Sequence, residues 1–389
     1  MICYNDVMRT HYNFIHLPHH HSRLSLLYLV ATLRTFIFGF FSLFLPILVF
    51  QHFLVLGERG ALILTIIFFL LHSLFHLLTI TLTVKIASKY GLKTTFFLGQ
   101  LILLLLFILL IKQDYFWGAI VFGLASSLWW FSYHYCFVEL SSHKRLGKEI
   151  GTVQALGIFA TIVAPLVGGL FLNLGNELYF YGTGIILIGI SLIFILFFGQ
   201  LEKINPVSFK DIKNEAKRVP RDFIAFIGGG AEEIIYSVAW PLMLFYVLKN
   251  LLVLAGFSTL VLFLAALAYY VTGIFLDRIN KEKLEKIGIL SVATSWLGKA
   301  IFQTPLTLSI FDTLHKVLSS FFVLPLMVIA YDHAERDRQR YIAFREAGWK
   351  LGNIIALIIF SLIVLFNFPF WLIFVTAALF SMLPAQIKR

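Results

Sequence analysis

The stretch from Phe223 to Leu248 reads FIAFIGGGAEEIIYSVAWPLMLFYVL. It is long enough to cross a bilayer as a helix, yet two adjacent carboxylates, Glu232 and Glu233, stand near its middle. A charged side chain at the centre of a spanning helix costs about 2.5 to 3.5 kcal/mol against lipid, so both glutamates are expected to face protein or water. The segment is one wall of a polar interior. It also repeats an earlier stretch: an offset of 195 residues carries Pro46 onto Pro241, Ser42 onto Ser237, Arg145 onto Arg340 and Gly157 onto Gly352. The chain is internally duplicated.

The surrounding composition fits that interior. Of 389 residues, 60% are hydrophobic and 13% charged, against about 25% charged in soluble domains. With a mean hydropathy of +0.90, the chain is a polytopic membrane protein. Apolar runs bounded by turns and charges predict twelve spans: 24–50, 60–84, 93–112, 115–138, 149–173, 178–200, 222–248, 251–276, 286–303, 306–331, 345–366 and 368–385. The fold class is thus an all-α membrane protein. Placing both termini in the cytoplasm puts 24 of the 31 Lys and Arg residues on that side, which orients the chain in a plasma (inner) membrane. The net charge of +11 follows from this topology and favours anionic inner-leaflet lipid, with no need for a nucleic-acid partner.

The polar residues predict an N-terminal tail at 1–23, a six-helix unit at 24–200, a linker at 201–221 and a second six-helix unit at 222–389. The tail gathers His11, His16, His19, His20 and His21, which read either as a metal-sensing segment or as a solvated juxtamembrane stretch. No cleavable signal is expected, and Cys3 and Cys136, both near the cytoplasmic side, are expected to stay unpaired. Within the spans, Arg34 falls near the midplane of the first, and His72, His76, Thr79 and Thr83 form a helical stripe in the second that is expected to pack against neighbours. The fourth span offers Trp130, Tyr133 and His134. The tenth carries Asp312, His315, Lys316 and Ser319 on one face, and two readings stand there: a functional stripe, or an internal Asp312–Lys316 pair. Glu346, Lys350 and Asn353 share a face of the eleventh span and are expected to make gate or interdomain contacts, while Lys299 is expected to reach toward the outer surface.

Three local patterns then point to one family. The second span ends in IASKYGLK (Ile86 to Lys93), the eighth in GIFLDRINKEK (Gly273 to Lys283), and the fifth contains ATIVAPLVGG (Ala160 to Gly169). The first two resemble the G-x-x-x-D-R-x-G-R-K loops of the major facilitator superfamily: the later copy keeps Gly273, Asp277, Arg278 and Lys281, the earlier only Gly91 and Lys93. The third is similar to the family's helix-5 pattern, with alanines for its first two glycines. The resemblance implies two pseudo-symmetric six-helix bundles with helices 1, 4, 7 and 10 around a central cavity at the midplane. It implies that Asp277 and Arg278, with Arg145 and Lys148 opposite, form a cytoplasmic gate, and the helix-5 pattern implies antiport. Taken with the polar residues, it puts Arg34, Trp130, Tyr133, Tyr236, His315 and Lys316 at the solute and makes Glu233, Glu232 and Asp312 the proton-coupling candidates, Glu233 first.

The expected function is secondary active transport of a small organic solute by alternating access, coupled to protons. Export of amphiphilic compounds by proton antiport, a non-transporting sensor and a polytopic lipid enzyme are the alternatives. No metal box, paired-Asp motif or nucleophile motif supports the enzyme. No cofactor or resident metal is expected, the expected partners are solute, protons and membrane lipids, and the expected state is a monomer.

Overall fold

The computed structural model describes residues 19–387 apart from 176 and 200–203. Cys3, the histidine-rich tail through residue 18, the side chains of His19 to His21 and the first residues of the linker lie outside that description. The chain runs through α1 (His19–Phe41), α2 (Leu45–Phe53), α3 (Gly57–Tyr90), α4 (Leu92–Ile111), α5 (Tyr115–Leu140), α6 (Leu146–Thr161), α7 (Ala164–Asn173) and α8 (Glu177–Leu196). The linker forms α9 (Phe209–Arg218). There follow α10 (Pro220–Ile234), a π-helical turn (Ile235–Ala239), α11 (Trp240–Leu248), α12 (Leu251–Leu276), α13 (Lys281–Ile301), α14 (Pro305–Leu318), α15 (Ser320–Ala334), α16 (Arg338–Leu365) and α17 (Leu372–Phe380).

Helix covers most of each expected apolar stretch, and the ends follow local chemistry. Asn250 accepts from Leu252 N and Val253 N at the start of α12, and Thr304 and Thr307 form a capping box ahead of Pro305 in α14. Ser208 and Asp211 form another at α9; the Ser208 hydroxyl and backbone N–H hold the Asp211 carboxyl below its ordinary range. Prolines divide the spans. Pro46 opens α2, Pro165 opens α7 and Pro241 opens α11, each where a missing N–H is harmless at a helix start but would break a helix interior.

Among the described residues, eight helical runs are long and apolar enough to cross a membrane. The first, Arg23–Tyr90, is one 68-residue run covering two of the expected spans, because α2 passes into α3 through a single 3-10 turn at Leu54–Leu56 with no intervening loop, the chain reversing at Gly57, whose φ is +81°. Large apolar side chains such as Leu178, Ile186, Ile193 and Leu290 stand exposed around the outside, which suits lipid and would not suit water.

The 195-residue duplication appears in the packing. α2 and α11 are related by that offset at both ends. In the first half α1 crosses α6 where Gly157 meets Thr35; in the second, α10 crosses α16 where Gly352 meets Ile227 and Ala231. A Cβ on Gly352 would lie 2.0 Å from the Ile227 carbonyl oxygen, so only glycine allows this approach. The halves meet along two seams, α6 and α7 against α12, and α3 against α16. On the first seam a Cβ on Gly151 would stand 2.4 Å from Gly273 Cα, so the glycine of the eighth-span motif is where two backbones touch.

Candidate functional site

α10 delivers its two glutamates to different surroundings. Glu232 is buried; its Oε1 accepts from Trp296 Nε1 of α13 at 2.9 Å and lies 3.3 Å from His315 Nε2 of α14. Glu233, about 100° round the helix, is exposed and accepts from Trp349 Nε1 of α16. The π turn follows directly, and such turns recur at functional sites because the extra residue re-aims the side chains around it. Here it carries Tyr236. Its ring stacks on His315 at 4.8 Å and 10°, with Lys316 Nζ 4.2 Å from its centroid.

Lys299 corrects the expectation that it reaches outward. Its side chain is fully buried, with Nζ 2.8 Å from Asp312 Oδ1 and 3.9 and 4.4 Å from the ring centroids of Trp240 and Trp296. A carboxylate on the adjacent α14 and two aromatic faces together replace the water that snorkelling would have sought. Asp312 is therefore paired with Lys299, and the internal Asp312–Lys316 pair is not formed among the described contacts.

Arg34 requires a second correction. It is 2% exposed and donates to Gln100 of α4, whose amide donates to Ser191 of α8 at 2.6 Å; its guanidinium lies 4.4 and 4.8 Å from the rings of Phe38 and Trp129. It points between the helices of its own half. Its hydrogen bond and ring contacts are all on α1, α4 and α5, and none is with Tyr236, His315 or Lys316, the residues expected to share the solute with it. Neutral amide and aromatic neighbours disperse its charge where a solute was expected.

A second buried group joins the halves. Glu346 of α16 lies 3.4 Å from His76 of α3 and 3.5 Å from His134 of α5, and accepts from Arg345 at 2.5 Å. His134 Nδ1 shares a 2.5 Å hydrogen bond with the Tyr331 hydroxyl of α15. The second-span stripe thus packs against neighbours: His72 meets Ser126 at 3.2 Å and Thr83 meets Ser127 at 2.8 Å. Trp130, half-buried, stacks on His134, and Tyr133 is buried beside it. The helical periodicity placed these side chains on their faces; partners on other helices, such as Ser126 for His72 and Glu346 for His76, carry no sequence signal. Among the described residues no cluster of three or more His, Cys, Asp or Glu is arranged to hold a metal ion.

Where α6 begins, Asp277 Oδ1 and Oδ2 accept from the backbone N–H groups of Gly147 and Lys148, each at 2.9 Å. These belong to the first turn of α6, where unpaired donors and the helix dipole favour an anion. Arg278 lines a surface cleft with the exposed Lys148, while Arg145 stands exposed just before α6. Arg338 of α16 donates to Glu139 of α5 across the same boundary. Replacing Asp277 with asparagine leaves one acceptor where two N–H groups compete, and removes the charge. In a background without Cys3 and Cys136, a cysteine at Met327, where Gln154 of α6 touches α15, is expected to react faster with a soluble maleimide in Asp277→Asn. Unchanged labelling would show that this contact does not close the seam.

The comparisons agree with this architecture. The sequence profile of the Major Facilitator Superfamily matches residues 27–225, just over half of the chain, and the chain belongs to that superfamily. Among solved structures, the human organic anion transporter MFSD10 (TETRAN) is similar with a TM-score of 0.73 at 12% identity, over 95% of this chain and 100% of that one. The proton:xylose symporter XylE bound to 6-bromo-6-deoxy-D-glucose gives 0.72 at 13% identity, over 94% and 95%. The E. coli fucose:proton symporter FucP gives 0.67 at 13%, over 94% and 97%. No curated protein sequence matches the chain. These likenesses define a multi-pass membrane protein with the transporter fold of its superfamily, a class that moves solutes across membranes.

Proposed function

We propose that the chain is a proton-coupled secondary transporter that moves a small organic solute by alternating access. Its twelve helices would form two pseudo-symmetric bundles, 24–200 and 222–389, linked through 201–221 and rocking about the seams of α6 with α12 and α3 with α16. The repeated α1–α6 and α10–α16 crossings support that division. Asp277, Arg278, Arg145 and Lys148 serve as the cytoplasmic gate.

The observation that carries the reading is the buried Glu232–His315 contact beside the Lys299–Asp312 pair, four ionisable side chains gathered in the interior between α10, α13 and α14. Ionisable side chains are expensive at that depth and are kept there when a charge must be gained and lost. Asp312 is held by Lys299. Glu232 is therefore the coupling carboxylate: taking up a proton cancels the charge that His315 and Trp296 stabilise, and loosens the contact between α10 and α14. Trp130, Tyr133, Tyr236, His315 and Lys316 wall the solute. Gly168 and Gly169 of the helix-5 segment pack against Phe44 and Ala255, so they act in helix packing and no observation favours the exporter reading.

Reconstituted vesicles test this. A solute that stabilises the protein thermally should accumulate in vesicles energised by a pH gradient and leak out when a protonophore collapses it. Equilibration without accumulation would remove the coupling; no flux of any stabilising solute would remove transport itself.

A further inference from the structure

The charges around Tyr236 do not all find partners. Glu232 is matched by His315 and Lys299 by Asp312, and those four side chains are buried. Two ionisable groups of the same cluster remain. Glu233 has the Trp349 indole N–H as its hydrogen-bond partner and no basic group within 4.0 Å among the described residues. Lys316 has the Tyr236 ring at 4.2 Å and no carboxylate within 4.0 Å. Both keep exposed surface although they lie within the long apolar runs Pro220–Leu248 and Pro305–Ala334, and Lys316 feels the charge of Glu233 at longer range.

We propose that Glu233 and Lys316 together bind a zwitterion, Glu233 taking a protonated amine and Lys316 a carboxylate, with the solute's aromatic body against Tyr236 and Trp349. This rests on the transporter reading and names its substrate class. A plain anion at Lys316 would meet the like charge of Glu233, and a plain cation at Glu233 would meet Lys316. Only a solute with both ends compensates both. Direct closure of the two side chains on each other is resisted from both ends, since Trp349 ties down the carboxylate and the Tyr236 face holds the ammonium. Both rings are partly exposed, so they offer apolar surface beside the charges they touch.

The test uses three compounds with one carbon skeleton: L-phenylalanine, phenethylamine, which lacks the carboxylate, and 3-phenylpropanoate, which lacks the amine. Binding is read as a saturable rise in melting temperature of the full chain in detergent, which requires no transport. L-Phenylalanine is expected to half-saturate at a concentration roughly tenfold or more below either single-charge analogue, since each lost charge-assisted hydrogen bond is worth about 1.5 to 3 kcal/mol. In Glu233→Gln, L-phenylalanine should fall to the level of 3-phenylpropanoate; in Lys316→Met, to that of phenethylamine. Equal binding of L-phenylalanine and either analogue by the unaltered protein overturns the assignment, as does no response to any of the three. Binding without flux in vesicles would leave the zwitterion site standing and overturn the transport reading alone.

Discussion

Replacing Lys299 with methionine is expected to cost about 3 to 5 kcal/mol of stability, because it leaves the Asp312 carboxylate buried without its partner. The methionine fills similar volume, so the loss reports charge rather than a cavity. Asp312 would keep no basic group in contact, as Lys316 is held over Tyr236. Removing both charges in Lys299→Met with Asp312→Asn should recover most of the loss, since a buried pair replaced as a unit is often close to neutral. Unfolding in mixed micelles measures all three variants. A single variant as stable as the parent, or a double variant no better than the single, would show that Asp312 does not depend on Lys299.

Glu232→Gln is expected to abolish accumulation driven by a pH gradient while solute exchange across the membrane persists. Glutamine still offers an oxygen to Trp296, which is 2.9 Å away, so the wall keeps its shape. It cannot take up and release a proton, and it offers His315 no charge. Glu233→Gln is the control: it should weaken solute affinity and leave the dependence on the gradient intact. If instead Glu233→Gln uncouples and Glu232→Gln does not, the proton travels on the exposed carboxylate. Loss of folded protein in Glu232→Gln would assign the Glu232–His315 contact to structure.

The sequence signals that proved legible are those with a local cause. Helix positions follow from apolar length and from caps such as Asn250 and Thr304, which act within one turn. Pro46 and Pro241 marked the repeat and also open the paired segments α2 and α11, since a proline's missing N–H acts where it stands. The stripe of Asp312, His315 and Lys316 was readable because 3.6 residues per turn place them together. The π turn was not, because widening one turn reflects what α10 packs against rather than its own residue types.

The amino-acid sequence by itself determined a helical membrane chain, its duplication, its family and the helices that carry charge inside the bilayer. Tertiary structure decided which charges meet. Lys299 turned inward to Asp312, Arg34 settled among Gln100 and aromatic rings, and Glu346 joined His76 and His134 from the other half. Periodicity fixes the face of a helix, whereas an ionic partner depends on the rotation and depth of a neighbouring helix. Those are set by backbone approach at crossings such as Gly151 with Gly273 and Gly352 with Ile227, contacts between residues far apart in the chain.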